Sequence, residues 1–151
     1  MPQFLNVATG EYVLSNTEPL PDGYAGFIPV PPRPGYPCTY DEDAGEWVAD
    51  ESLILNQLIG QIKQEASRRI LDLYPGWKQL NMNAEATYLQ EIRLGGGTLT
   101  NEQEDRRTAL MADWAVIAAI RTRSDELETS LDGKSLEELI DFIPTDPDHW
   151  D

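Results

Sequence analysis

Carboxylates supply most of the side chains in this chain that could do chemistry, with 27 Asp and Glu against 11 Lys and Arg. Glycoside hydrolysis needs only two of them, one with a raised pKa and one ordinary. With so many acids, pairs arise by chance, and no acid sits in an apolar run that would raise its pKa. Glu65 and Glu91 come nearest, and both fall on polar faces of helical stretches. Asp41, Asp43 and Glu46 suggest calcium, but an EF-hand loop opening at Asp41 would need glycine where Glu46 stands and glutamate where Ser52 stands. An acidic hairpin tip is expected instead. Gly133-Lys134-Ser135 resembles the end of a phosphate-binding loop, yet its first glycine would fall at Glu128, and a helix precedes it where a strand is required. A helix-helix turn is expected there. No Lys-Ser/Thr pair follows Gly95-Gly96-Gly97, so those glycines read as a hinge.

Cys38 is the single cysteine, which excludes an intramolecular disulfide and suits a reducing compartment. Pro37, Thr39 and Tyr40 bring no cation to it, so an unreactive thiol is expected. The single histidine, His149, would have to reach any metal site or Ser-His-Asp triad from a mobile tail. No catalytic residue, cofactor or metal is therefore expected, and the chain reads as non-enzymatic. The aromatic residues are more informative. Trp77 and Trp114 lie on apolar stripes and are expected in the core. Tyr12, Tyr24, Phe27, Tyr36, Tyr40 and Trp47 occupy a segment too short and proline-rich to bury them all. Two readings follow for these six: a partner-binding surface, where rigid rings give contact area at low entropic cost, or packing of the whole segment against the helices.

Both charge and proline divide the chain that must position these residues. Residues 1–52 carry a net charge of −8, residues 53–123 of +1 and residues 124–151 of −9, while eight of the eleven prolines precede residue 38. A boundary near residue 50 is expected, separating an N-terminal β/extended partner-binding module (1–50) from a helical hairpin domain with an acidic C-terminal tail (51–151). The length admits one domain or two small ones and excludes a large multidomain enzyme. The overall charge of −16 disfavours nucleic acid and anionic membrane as partners. No apolar run approaches a bilayer span, and no basic stretch followed by an apolar one marks a secretory leader, so a soluble, non-secreted protein is expected.

Short β-prone runs, Phe4-Leu5-Asn6-Val7 and Tyr12-Val13-Leu14, flank a glycine-containing turn, and Thr39-Tyr40 and Glu46-Trp47-Val48 flank a second. Pro19-Leu20-Pro21-Asp22-Gly23 predicts a bend. Pro29-Val30-Pro31-Pro32-Arg33-Pro34, too proline-dense for a helix or a central strand, predicts an extended polyproline strip that serves as a spacer or a recognition strip. No internal repeat is evident. Leu55, Ile59, Ile62, Ala66, Ile70, Leu73 and Trp77 then recur at helical spacing, with Asp50 or Ser52 available as cap. Pro75-Gly76 must end or kink this helix, and a second stretch runs through Leu80, Tyr88, Leu89 and Ile92 to the three glycines. Thr100-Asn101-Glu102-Gln103 is a capping box, opening a helix of about 30 residues with the stripe Leu110, Trp114, Ile117, Ile120, Ser124, Leu127 and Leu131. Ser135-Leu136-Glu137-Glu138 is another, opening a short helix to Ile143-Pro144. The fold class is α+β: a small β-hairpin module with a proline-rich strip, a long antiparallel helical hairpin burying Trp77 and Trp114, and a short C-terminal helix.

The N-terminal hairpin, the strip Val30-Pro31-Pro32-Arg33-Pro34 and the Tyr40-Asp41-Glu42-Asp43-Ala44-Gly45-Glu46-Trp47 hairpin, in this order, resemble tail-fibre assembly proteins of tailed bacteriophages. Gln64-Glu65-Ala66-Ser67-Arg68-Arg69-Ile70, Tyr74-Pro75-Gly76-Trp77-Lys78-Gln79-Leu80-Asn81-Met82 and the stretch 114–127 are similar to helical segments of small phage tail accessory proteins. The resemblance covers residues 30–131. It implies a helper that works in the host bacterial cytoplasm. There it would bind a trimeric fibre subunit and assist its folding or attachment, either leaving afterwards or staying on the virion tail. The same context admits a structural tail or fibre-adaptor subunit that self-associates through its helical hairpin.

Overall fold

The computed structural model describes residues 1–15 and 24–151. The expected bend at Pro19 to Gly23 lies outside the described residues. The fold is α+β, short antiparallel strands preceding long helices. It divides into two compact units, Met1–Asn56 and Gln57–Asp151. Among the described residues, no helix is long and apolar enough to cross a membrane.

In the first unit, β1 (Gln3–Asn6) is the central strand of a three-stranded antiparallel sheet between β2 (Glu11–Leu14) and β3 (Phe27–Val30). Its successive residues Phe4 and Leu5 point to opposite faces and are both buried, as a central strand requires. β3 corrects the polyproline expectation: Pro29 and Val30 belong to the sheet, with Pro29 opposite Phe4. A proline is tolerated at a sheet edge, where a missing ladder donor costs least. β4 (Cys38–Asp41) and β5 (Glu46–Ala49) form a separate hairpin.

The two hairpins turn by the same chemistry. The Asn6 side-chain oxygen accepts from the amides of Ala8 and Thr9 at 3.2 and 3.3 Å, and that of Asp41 accepts from Asp43 and Ala44, both at 3.0 Å. Gly10 and Gly45 close the turns with φ of 73° and 71°, their amides donating to the Asn6 and Asp41 carbonyls. In each case Glu, an aromatic residue and Val follow: Glu11-Tyr12-Val13 and Glu46-Trp47-Val48. A short repeat is therefore present after all. Asn/Asp and Tyr/Trp exchanges disguise it, because either member of each pair serves the turn or the packing equally well.

The second unit is helical, and α1 (Glu51–Leu73) enters it from the first, to which its residues up to Asn56 belong. α1 begins on Asp50, whose carboxylate accepts from the Leu53 amide at 3.0 Å. α2 (Gly76–Leu94) begins after Pro75, and α3 (Asn101–Ser130) begins at the predicted Thr100–Gln103 capping box. Lys63 meets Glu128, Tyr74 meets Asp113, and Glu85 meets Arg106, at 3.1, 3.0 and 3.4 Å. Rising numbers on α1 and α2 meet falling numbers on α3, so the two shorter helices run antiparallel to the long one. Ile70, Tyr74, Met82, Leu89, Leu99, Leu110 and Ile117 form the core, with Trp114 and Ile120 packed against it.

The expected α3 stripe is buried at Leu110, Ile117, Ser124, Leu127 and Leu131 and half-buried at Trp114 and Ile120, whereas the expected α1 stripe is buried only at Ile62, Ala66 and Ile70. Ile54, Leu58, Ile62, Ala66, Ile70 and Tyr74 are buried, whereas Leu73 is 54 % and Trp77 66 % exposed. A step of four residues advances about 40° per repeat at 3.6 residues per turn, so the buried line winds round α1. Pro75 then resets the phase. Trp77 is thereby excluded from the core, and Leu80 and Tyr88 share its exposed side of α2 by helical spacing. α4 (Leu136–Ile140) starts at the predicted Ser135–Glu138 box but stops three residues short of Ile143, with Leu139 alone buried. A 3-10 turn at Pro147–His149 follows, capped by Asp146.

Candidate partner-binding surface

Pairing register positions the aromatic residues of the first unit. On the central sheet, Tyr12 stands opposite Leu5, which stands opposite Ile28, so these three share one face. Tyr40 stands opposite Trp47 on the second hairpin, and their rings meet edge-to-face at 5.2 Å. The Trp47 ring also meets Tyr12 edge-on at 6.2 Å, joining the corresponding positions of the two hairpins. The indole N–H donates to the Pro31 carbonyl at 2.9 Å, and the Arg33 guanidinium lies 5.6 Å from the indole centroid. Gln3 completes the set, its side-chain oxygen accepting from the Tyr12 hydroxyl and, at 2.8 Å, from the Arg33 amide.

Of the six aromatic residues expected to bind a partner, Tyr12, Tyr40 and Trp47 thus converge on one cluster. Tyr24 and Phe27 form a separate edge-to-face pair at 5.3 Å, and Tyr36 is half-buried with no ring pair among the described residues. All but Tyr24 are half-buried, while Tyr24 is exposed. The rings are held by one another and still present part of their surface. Sequence reasoning missed Gln3 and named Pro31 and Arg33 only as part of the proline-rich strip. Arg33 carried a signal, as the lone cation among the first 52 residues and set within prolines. Such a surface offers aromatic area, a cation and a backbone edge, which suits protein recognition.

The titratable groups of the second unit are tied to structural partners. Glu65 is 5 % exposed, which corrects the expectation of a polar face. Arg68 donates to both of its oxygens at 2.8 and 2.6 Å, and Arg69 donates at 2.8 Å. Hydrogen bonds from Arg68 hold the Glu65 carboxyl below its usual range, with Arg69 adding to this against the desolvation of burial. Trp150 stacks on Arg69 at 5.0 Å, and the His149 carbonyl accepts from Arg123 at 2.6 Å. The His149 ring stacks on Phe142 at 4.8 Å, so this histidine is docked, and its position is no mobile tail. Burial, followed by the hydrogen bond to Asp113, raises the Tyr74 phenol. The Glu138 carboxyl is lowered by the Ser135 amide it caps and then by the Ser135 hydroxyl.

Cys38 is buried. The Asp41 carboxylate is committed to its own turn, and among the described residues no group of three or more His, Cys, Asp or Glu could hold a metal ion. Gly133-Lys134-Ser135 joins α3 to α4, with Gly133 at φ 77° and Ser135 capping α4. Comparison with protein-family models, curated proteins and solved structures gives no match.

Proposed function

We propose that this protein is a non-enzymatic helper of bacteriophage tail-fibre assembly. It works in the host cytoplasm, binding the fibre subunit through its N-terminal unit and assisting the subunit's folding or attachment. The observation that carries the reading is the half-buried cluster of Tyr12, Tyr40 and Trp47, with the Arg33 guanidinium over the Trp47 ring, a surface suited to another protein. The likeness of residues 30–131 to fibre-assembly and tail accessory proteins supplies the context. Fibre trimers rich in non-local β pairing fold slowly and expose strand edges while they do, so a protein that covers such edges has a physical task. Its net charge of −16 keeps the helper itself from aggregating.

A second reading, a structural tail subunit that self-associates, is favoured by one observation. Trp77, Leu80 and Tyr88 on α2 are 66 %, 70 % and 55 % exposed, and they recur at helical spacing. Affinity capture from phage-producing cells, followed by native mass spectrometry, separates the two. A discrete complex with a fibre subunit is expected. Recovery of its own oligomers alone, or of core tail proteins, overturns the helper reading.

A further inference from the structure

In the second unit, α2 and α3 leave an open groove of about 530 Å³ between them, floored by Leu89, Leu110 and Trp114. Its rim is apolar and accessible, with Leu94 78 % and Met111 59 % exposed. Its polar lining is Gln90, Arg93 and Arg107, with no carboxylate. In a chain with 27 acids and 11 bases this is a local reversal of charge. The larger cavity of the unit differs in this respect: its Arg68, Arg69 and Arg123 are matched by Asp72, Glu126 and Asp151. Among the described residues Arg93 makes no ion pair. Arg107 is paired with Glu104, one turn away at 3.3 Å, an exposed contact that holds it weakly.

The antiparallel course of the helices orders the groove from end to end. Arg93 lies in the last turn of α2 and Arg107 in the second turn of α3, so both stand toward the connecting loop. Ala86 and Trp114 lie about two turns further from it, roughly 10–12 Å at 1.5 Å per residue. A cationic end therefore leads into an apolar trough. Guanidinium groups bind carboxylates through paired, charge-assisted hydrogen bonds, and a Met-rimmed trough accommodates apolar side chains of differing shape. Between the two ends, Gln90 offers an amide donor and acceptor, which serve a peptide backbone and have no counterpart on an alkyl chain.

We propose that this groove binds a short segment of a partner protein in which carboxylates adjoin bulky apolar side chains. The site is separate from the aromatic cluster and does not depend on the fibre-assembly reading. The test is fluorescence anisotropy on the full chain with labelled tetrapeptide amides. Glu-Asp-Leu-Phe is the probe, Gln-Asn-Leu-Phe and Glu-Asp-Ala-Ala are its controls, and laurate serves as a single-headed competitor. The probe is expected to bind, each control roughly tenfold or more weakly. Raising sodium chloride from about 50 mM to about 500 mM should weaken the probe further. Arg93→Glu should cost roughly tenfold or more and Arg93→Gln less, with helicity unchanged by circular dichroism, since Arg93 is exposed. Absence of probe binding, equal binding of the neutral control, unchanged affinity in Arg93→Glu, or displacement by laurate at lower concentration than by unlabelled probe each overturns the proposal.

Discussion

Replacing Trp47 by alanine should strip the first unit of most of its stability and leave that of the second unchanged. Truncating a fully buried tryptophan costs about 3–5 kcal/mol, and Trp47 is half-buried, so roughly 2 kcal/mol is the share from area and packing. Loss of the indole bond to the Pro31 carbonyl adds about 1 kcal/mol. Edge contacts with Tyr12 and Tyr40 are worth about 0.5–1.5 kcal/mol each, partly counted already in the packing share. The total is about 3–4 kcal/mol. A unit the size of Met1–Asn56, at about 0.1 kcal/mol per residue, has only about 5–6 kcal/mol to lose.

Hydrogen exchange read by mass spectrometry measures this directly. Amides of β1, β3 and β5 should exchange roughly 150- to 700-fold faster in Trp47→Ala, since each 1.4 kcal/mol is about tenfold. Amides in the middle of α3 should be unaffected, because Leu110 and Ile117 belong to a core wholly within the second unit. Trp47→Phe, which keeps a ring against Tyr12 and Tyr40 and loses the Pro31 bond, should fall between. Strand protection within tenfold of wild type would refute the assignment of Trp47 as the joint between the two hairpins. An equal loss of protection in α3 would refute the independence of the units.

Glu65→Gln should lower stability by about 1–2 kcal/mol near neutral pH, less than for a wholly buried pair because Arg68 is 57 % exposed. The folded carboxyl titrates below its ordinary value of 4.5, so its contribution is present above that pH and is lost as pH falls through the lowered value. Urea titrations should show the gap between wild type and variant closing on acidification, and a gap constant with pH would refute the linkage. Tyr74→Phe should cost about 1–2 kcal/mol by removing the 3.0 Å bond to Asp113. The phenol is raised above 10.0, so its contribution is full below that pH and disappears as pH rises through the folded value. Equal stability of this variant and wild type in near-neutral urea melts would sink the prediction.

Features that were legible in the sequence rest on local chemistry. The Thr100–Gln103 and Ser135–Glu138 boxes are satisfied within one turn, and the α3 stripe from Leu110 to Leu131 runs without a break. Trp77 misleads because its apolar stripe reads straight through Pro75, where the helix restarts in a new phase. β3 is hidden in the sequence because Pro29 argues against a strand until pairing with the distant Phe4 places it at an edge. The aromatic residues were recognisable as a set, but their grouping was not. Tyr12 and Trp47 meet only because two hairpins far apart in sequence carry matching residues after matching turns.

Glu65 shows how burial and reactivity can part company. A carboxylate 5 % exposed beside the buried line of Ile62, Ala66 and Ile70 is where a raised pKa and an acid catalyst would be sought. Arg68 and Arg69 stand three and four residues further on, within reach on the same helical face, and the same side chains that cover the carboxylate hold it ionised. An ionised group of depressed pKa is a poor proton donor at neutral pH. As a nucleophile it fares no better: one oxygen already accepts from Arg68 and Arg69 and the other from Arg68. Arg69 in turn carries the Trp150 indole, so the carboxylate fixes the guanidinium on which the last turn of the chain rests. The buried charge acts as an anchor for the C-terminal segment, and its value to the protein is positional.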